Sequence, residues 1–346
     1  MKTIHVLTGY DGFIGQTRKP WVSIDTPAFI QELRALGFEV KPHDFYEVAN
    51  CRVEIKDSIV YYSFSHRLNL QHYIRDLLMS LKKQGNILIP NFEMFCCHAN
   101  KGWQEYLRRE LGFGDLNSLY FSSKRELDNY DLKFPLVFKT LDGSNSRGVA
   151  LVHSKEDILK ELGKLEPKPG LYQRWDFFRR KYLRKNKKFP GYPNYDLKRD
   201  ARLYQDYITP EIPFMLQDFI PNLDCDYRVV ALGEHYYISK RLNRKGDFRA
   251  SGSKHFDFEL KDPQRLLQYT AEIRAKLDVP SLSVDLGVDR DSRIHLFEFQ
   301  AQHFGIFTIL NAPGYWFYED STWKFNPGHA SFEVELARAL HYFVNT

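Results

Sequence analysis

The chain has 346 residues, 43% hydrophobic and 27% charged, enough for two or three packed units of an ordinary globular protein. No stretch reaches the length of a membrane span, MKTIHVLTGY is no signal peptide, and four cysteines without metal or disulfide spacing (Cys51, Cys96, Cys97, Cys225) suit a reducing, cytoplasmic compartment. The net charge of +5 is concentrated, because residues 174–202 hold eleven Lys or Arg against three Asp and leave the remainder slightly acidic.

The first part alternates strand and helix. Thr3–Thr8 reads as a strand, Thr26–Leu36 as a helix closed by Gly37, and Phe38–Pro42 as a second strand. Ser58–Phe64 is strand-like, Leu68–Lys83 is amphipathic and ends at Gly85, and Ile87–Ile89 is stopped by Pro90. That rhythm predicts a parallel α/β domain over residues 1–95. Ala99–Leu111 is a further helix. From Leu136 the texture becomes α+β: LVFK, GVALV, FMLQDFI, DYRVVALG, HYYISKRL, SLSVDLGV and IHLFEF are strands with hairpin-like spacing. Asp262–Leu277 and Ser331–Val344 are helices, and residues 164–213, rich in Pro, Lys, Arg and Tyr, form an insertion between strands.

LVFKTLDGSNSRGVALV places Lys139 at the end of a buried strand, before a loop of small residues that includes Ser144, Ser146 and Gly148. Such a loop lets successive N–H groups approach phosphate oxygens, with Lys139 supplying positive charge; it is also an ordinary hairpin loop. Gln217, Asp218, Phe219 and Ile220 end a strand whose backbone suits an adenine edge. Asp226 and Arg228 share the face of the next strand, and Arg249, beside Ser251-Gly252-Ser253, suits a transferring phosphoryl group. In the last hairpin, alternation puts Glu298 and Gln300 on one face, and a turn over Arg290–Arg293 brings Asp285 beside Glu298. Two carboxylates and an amide oxygen suit a hard cation such as Mg²⁺ or Mn²⁺; a wet edge hairpin has the same pattern.

Two other features compete. Thr8-Gly9-Tyr10-Asp11-Gly12-Phe13-Ile14-Gly15 matches the glycine fingerprint of NAD-dependent sugar epimerases and reductases, and Tyr120 with Lys124 makes a Tyr-x-x-x-Lys pair. The fingerprint must open a helix directly, however, and Pro20 and Pro27 stand in the way. The basic insertion interleaves cations with Trp175, Phe177, Phe178, Tyr182, Phe189, Tyr192, Tyr195, Tyr204 and Tyr207, which suits a polyanion or a solvated lid helix.

In order, the helix-entry lysine of HANK (Lys101), Lys139 with its loop, Q-D-F-I, D-Y-R, D-F-R and D…E-x-Q resemble the ATP-grasp superfamily over residues 91–305. The similarity is closest to the ligases that add glutamate to ribosomal protein tails. It implies a parallel α/β domain (1–95), a lid lobe (96–215, with the insertion at 164–213) and a C-terminal lobe (216–346) carrying the metal hairpin. It further implies Lys101 and Lys139 on nucleotide phosphates, Gln217–Ile220 at adenine, Asp226 in the nucleotide site and Arg249 as the catalytic phosphate clamp. Asp285, Glu298 and Gln300 fall on the metal positions, where Gln300 replaces the usual asparagine. The implied reaction is ATP-dependent carboxylate–amine ligation through an acyl phosphate, with ATP and Mg²⁺ or Mn²⁺ as cofactors. DFRASGS and the insertion are similar to ATP-grasp proteins of surface-polysaccharide clusters, which implies an amine joined to an acidic, uronic acid-like acceptor, with an acidic glycan at the insertion. A phosphotransferase of the same fold and a nucleotide- or glycan-binding protein without turnover are the alternatives. A nucleic-acid partner is not expected.

Overall fold

The computed structural model describes residues 2–9, 12, 14, 24–63, 68–98, 100–113, 116–142, 148–183, 191, 196–208, 210–244, 246–250 and 255–346. They divide into a larger unit, formed by residues 1–116 and 220–346, and a smaller one, 117–143 with 147–219.

The larger unit begins with β1 (Thr3–Thr8), α1 (Thr26–Ala35), β2 (Glu39–Asp44), α2 (Phe45–Ala49), β3 (Ile59–Tyr62), α3 (Leu68–Lys83), β4 (Ile87–Ile89), α4 (Phe92–Cys97) and α5 (Lys101–Glu110). Its four strands form the expected parallel sheet in the order β2-β1-β3-β4, with Ile4 opposite both Val40 and Ile59. Helix α1 starts only at Thr26, where Asp25 caps it by accepting from the Ala28 N–H and a proline occupies its first turn. It therefore does not open directly from the glycine fingerprint, half of which (residues 10, 11, 13 and 15) lies outside the described residues.

The smaller unit holds β5 (Ser118–Phe121), β6 (Leu136–Thr140), β7 (Val149–Val152), α6 (Lys155–Leu165), α7 (Leu171–Phe178), α8 (Leu197–Ile208) and β8 (Phe214–Asp218). Its sheet runs β5-β8-β6-β7, all antiparallel, over a core of Phe121, Phe138, Ile158, Leu162 and Phe214.

The chain then returns to the larger unit as β9 (Cys225–Leu232), β10 (His235–Leu242), β11 (Phe256–Asp257), α9 (Gln264–Leu277), β12 (Ser281–Val288), β13 (Ile294–Gln300), α10 (Phe307–Asn311), β14 (Gly314–Glu319), β15 (Thr322–Pro327) and α11 (Phe332–Asn345). The seven-stranded sheet runs β13-β12-β9-β10-β14-β15, with β11 beside β10. Both faces of β9 are buried, which explains its unbroken apolar run. Val229 and Ala231 pack with Leu267, Ile273 and Leu277 of α9. Val230 and Leu232 instead join one core with Ile4 and Val6 of β1, Phe29 and Leu33 of α1, and Leu336 and Leu340 of α11. The N-terminal parallel sheet and the C-terminal sheet therefore share a hydrophobic interior. The hairpin β14–β15, unforeseen from the sequence, turns on Asp320 and Ser321 with φ of 51° and 63°.

One histidine pair in the parallel sheet, buried His5 with half-buried His43, titrates. His5 Nδ1 lies 3.0 Å from His43 Nε2, and the rings stack. Burial, then the neighbouring His43 and Lys41, lowers the His5 pKa to about 4. Between that value and the unfolded value of about 6.5, the unfolded chain binds more protons. His5 thus contributes stability that is complete above about pH 6.5 and is lost as the pH falls toward 4. Urea unfolding should show lower stability at pH 4.5 than at pH 7, by on the order of 1–2 kcal/mol for the His5–His43 pair once solvent screening is allowed for. His5→Gln should flatten that slope; an unchanged slope would assign it elsewhere.

Candidate functional site

Strand pairing writes a charged row across one face of the seven-stranded sheet. Asp285 on β12 sits opposite Glu298 on β13 and Arg228 on β9, while Asp226 on β9 sits opposite Arg241 on β10. The Asp285–Glu298 pair is the expected one, reached differently. The loop spans 289–293, and a bulge at Phe297 shifts the register by one between Leu286 and Asp285. Gly287 makes room for this bulge, since a Cβ there would lie 2.4 Å from the Phe297 ring.

The row is held by guanidinium forks. Arg228 donates to Asp285 through Nε (2.8 Å to Oδ1) and Nη2 (2.9 Å to Oδ2). Arg241 donates to Asp226 through Nε (2.5 Å) and Nη2 (2.7 Å), and its Nη2 also lies 2.8 Å from Asp285 Oδ2. Two buried carboxylates thus share two arginines, and the cluster is neutral as a set. Burial pushes the Asp226 pKa up to about 6 despite Arg241, with Asp285 raising it further. Burial also acts on Asp285, but Arg228 and Arg241 outweigh it and hold that carboxyl well below the usual range.

Glu298 and Gln300 are half-buried on the neighbouring strand, where Gln300 Nε2 donates to Glu298 Oε1 at 2.9 Å. The second Glu298 oxygen and the Gln300 amide oxygen are the donors that a hard cation would use. Three of the roughly four acceptor positions of Asp285 are already taken by N–H donors. Among the described residues, no group of three His, Cys, Asp or Glu side chains is placed to hold a metal. This donor set fits Mg²⁺ bound through one or two carboxylates and completed by substrate phosphates, and does not fit an all-protein cage.

Lys101, nearly buried, is the first residue of α5, whose N-terminus is capped by Asn100 accepting from the Trp103 N–H at 3.1 Å. Gln104, one turn on, ties this helix to β13 by accepting from the Phe299 N–H at 3.5 Å. Arg249 forms a fork with Asp247 in its own loop, Nε to Oδ1 and Nη2 to Oδ2 both at 2.9 Å. The Ser251–Ser253 turn beside it lies outside the described residues, as do Ser144 and Ser146.

In the smaller unit, Lys139 donates to Gln217 Oε1 at 2.6 Å, and Gln217 Nε2 donates to Ser118 Oγ at 3.1 Å. The Gln217 side chain is thus spent orienting Lys139. Gly148 closes this hairpin with φ of 68°, its carbonyl accepting from the Thr140 N–H at 2.8 Å; a Cβ there would meet Thr140 Oγ1 at 2.1 Å. Asp218 is exposed, with its N–H bonded to the Asn117 carbonyl at 2.9 Å, and the chain passes from one unit to the other between Phe219 and Ile220. Lys124, the second half of the Tyr-x-x-x-Lys pair, is bound by Glu166 at 2.5 Å.

From the sequence, His303 beside Gln302 reads as a hydrogen-bonded structural histidine, but its partners do not show there. His303, just beyond β13 and at φ of 56°, places Nε2 3.2 Å from Ser63 Oγ, its ring centre 5.0 Å from that of His98. The Gln302 amide donates to the Tyr62 carbonyl. The loop after Gln300 is therefore stitched to the carboxyl end of β3, the side on which open α/β sheets bind ligands. The only sequence signal was a histidine in a left-handed position, which local pattern does not reveal.

No protein-family model matches the chain, and the search of curated sequences found no match. Solved structures do match it over nearly its whole length. The macrocyclase MdnC from Microcystis aeruginosa MRC, bound with its precursor peptide MdnA, is 14% identical; the match covers 99% of this chain and 100% of that one, with a TM-score of 0.52. The D-cycloserine synthetase DcsG is 13% identical over 98% of each chain, with a TM-score of 0.54. The ATP-grasp ligase PsnB, complexed with a precursor variant, Mg and ADP, is 11% identical over 99% of each chain, with a TM-score of 0.53. With a parallel sheet, two antiparallel sheets and end-to-end coverage by such structures, the chain has the ATP-grasp fold.

Proposed function

We propose that the chain is an ATP-dependent carboxylate–amine ligase. The observation that carries this reading is the charged row of Glu298, Asp285, Arg228, Asp226 and Arg241 on the sheet of an ATP-grasp fold. The full-length neighbours support it, being a macrocyclase, a synthetase and a ligase by description.

In this reading ATP gives its γ-phosphoryl to a substrate carboxylate. The acyl phosphate is then attacked by an amine, forming a C–N bond as the C–O bond to phosphate breaks; ADP, phosphate and a proton leave. Mg²⁺, held by Glu298 with Asp285 and Gln300 about it, would neutralise phosphate charge. Lys139, positioned by Gln217, and Lys101 would bind nucleotide phosphates, with Gly148, Ser144 and Ser146 in the loop. Residues 217–220 would meet adenine. Asp226 would fix Arg241 beneath the site. Arg249, released from Asp247 or still paired with it, would face the transferring group. The carboxylate is assigned to an acidic, uronic acid-like acceptor and the amine to an amino acid, a pairing supported by the local excess of positive charge. The four cysteines are unpaired, which supports a reducing compartment, and no helix among the described residues is long and apolar enough to cross a membrane.

The test is ADP and phosphate release with Mg²⁺ across pooled uronic acids, amino sugars and amino acids, with mass spectrometry of products. Phosphate release that requires both a carboxylate and an amine, with an amide product, is the expected result. A stable phosphorylated acceptor would replace ligation by phosphotransfer, and no nucleotide turnover with any pair would overturn both.

A further inference from the structure

Helix α7 continues past Phe178 as a wider π turn, Arg179–Leu183. One side of this run is anchored. Asp176 is buried and held by Arg179 and by Arg180 Nε at 2.9 Å, and the Arg180 guanidinium lies 4.0 Å from the centre of the Tyr204 ring on α8. The opposite side is apolar and exposed. Leu171, Trp175, Phe178 and Tyr182, at helical spacing, make one stripe; Leu171 is 85% exposed and Trp175 58%. Trp175 and Phe178 stack at 5.8 Å, and Phe178 and Tyr182 approach at 5.0 Å. Leu183 is 63% exposed, and Arg174 and Lys181 flank the stripe in solvent.

An exposed apolar stripe of this length on a monomer marks a docking surface, and the surrounding charge selects its occupant. A second copy would bring two segments of about +8 together, which opposes self-association. An anionic partner is favoured. Nucleic acids and acidic glycans would use the cations and the aromatic faces, but they leave Leu171 and Leu183 in water, because neither side chain stacks or hydrogen-bonds. An anionic lipid surface uses every group: headgroups meet Arg174 and Lys181, Trp175 and Tyr182 suit the interface, and the leucines and Phe178 enter the acyl boundary.

We propose that this face of α7 and its π turn is a peripheral docking surface for an anionic lipid bilayer. The surface brings the smaller unit to the membrane, and its function is independent of which substrates the ATP site takes.

Co-sedimentation with vesicles of phosphatidylcholine, alone or with roughly one quarter phosphatidylglycerol, tests it. The expected result is binding to the anionic vesicles only, weakened by salt. A variant carrying Leu171→Ser, Trp175→Ser and Phe178→Ser should bind at least about tenfold more weakly, and Arg174→Gln with Lys181→Gln should also weaken binding. These side chains are exposed, and unchanged circular dichroism confirms that each variant folds. Brominated lipid should quench tryptophan emission in the wild type and much less in Trp175→Phe. Equal sedimentation with and without anionic vesicles, or a triple serine variant that binds like the wild type, would overturn the proposal. Tighter binding to polyuridylate or to a uronic acid polymer than to vesicles would do the same. Neither nucleotide nor turnover is needed, so failure here and failure of the ligase reading are separately visible.

Discussion

Replacing Asp285 with alanine should cost the larger unit about 3–5 kcal/mol of unfolding free energy. The carboxylate accepts from Arg228 at 2.8 and 2.9 Å and lies 2.8 Å from Arg241 Nη2, and the Arg241 side chain is only 5% exposed. Removing it leaves one guanidinium without its fork and a second with only Asp226, on a face where water cannot restore every lost bond. Asp226, relieved of a like-charged neighbour but still paired to Arg241, does not replace the missing acceptor. Urea unfolding followed by tryptophan emission reads the change, with Asp285→Asn as the companion variant that keeps shape and removes charge. A midpoint shift equivalent to less than about 0.5 kcal/mol in both would mean that the arginines find other partners and that the row does not stabilise the fold.

Glu298→Gln should do the reverse: stability within about 1 kcal/mol of the wild type, and Mg²⁺-dependent ATP turnover lowered by about 10²–10³-fold. Glu298 is half-buried and accepts from Gln300 Nε2 at 2.9 Å, a bond that the amide oxygen of a glutamine at 298 can still accept. What the variant loses is the charge offered to the cation. If Glu298 is the principal protein ligand, raising Mg²⁺ should recover part of the rate. A Glu298→Gln enzyme with unchanged rate and Mg²⁺ dependence would remove the metal site from this hairpin. Together the two variants separate the carboxylate that holds the sheet from the one proposed to hold the ion.

The hairpin pairing of Asp285 with Glu298 was legible only because two offsets cancel: the loop is one residue longer than the sequence suggests, which alone would slip the register, and the bulge at Phe297 restores it. The forks on Asp285 were not legible. Asp226 and Arg228 show their common face within one strand, but nothing local says that β12 lies on one side of β9 and β10 on the other. Arg241 did carry a signal: it follows Tyr237 and Ser239 on one buried strand face, a charged position where an apolar one would be expected. The β14–β15 hairpin was missed because its left-handed turn residues are Asp320 and Ser321, without the glycine that usually announces such a turn. Helices α7 and α8 were obscured by the density of charge, which reads as solvated insertion until an anchored side is seen. The His303–Ser63 contact joins residues 240 apart, beyond any local pattern.

The shared interior of the larger unit also sets an order of events during synthesis. Its first strand contributes Ile4 and Val6 to a core completed by Leu336 and Leu340 of the final helix, and Lys2 bonds the Val344 carbonyl at 2.6 Å. The smaller unit, drawn almost wholly from 117–219, has its partners in hand once that stretch has left the ribosome. Residues 1–116 do not, and their apolar faces wait through more than two hundred further residues for closure. The earlier-made segment of the larger unit is therefore the last part of it to be protected, and the interval in which chaperones matter most is written into the order of the strands.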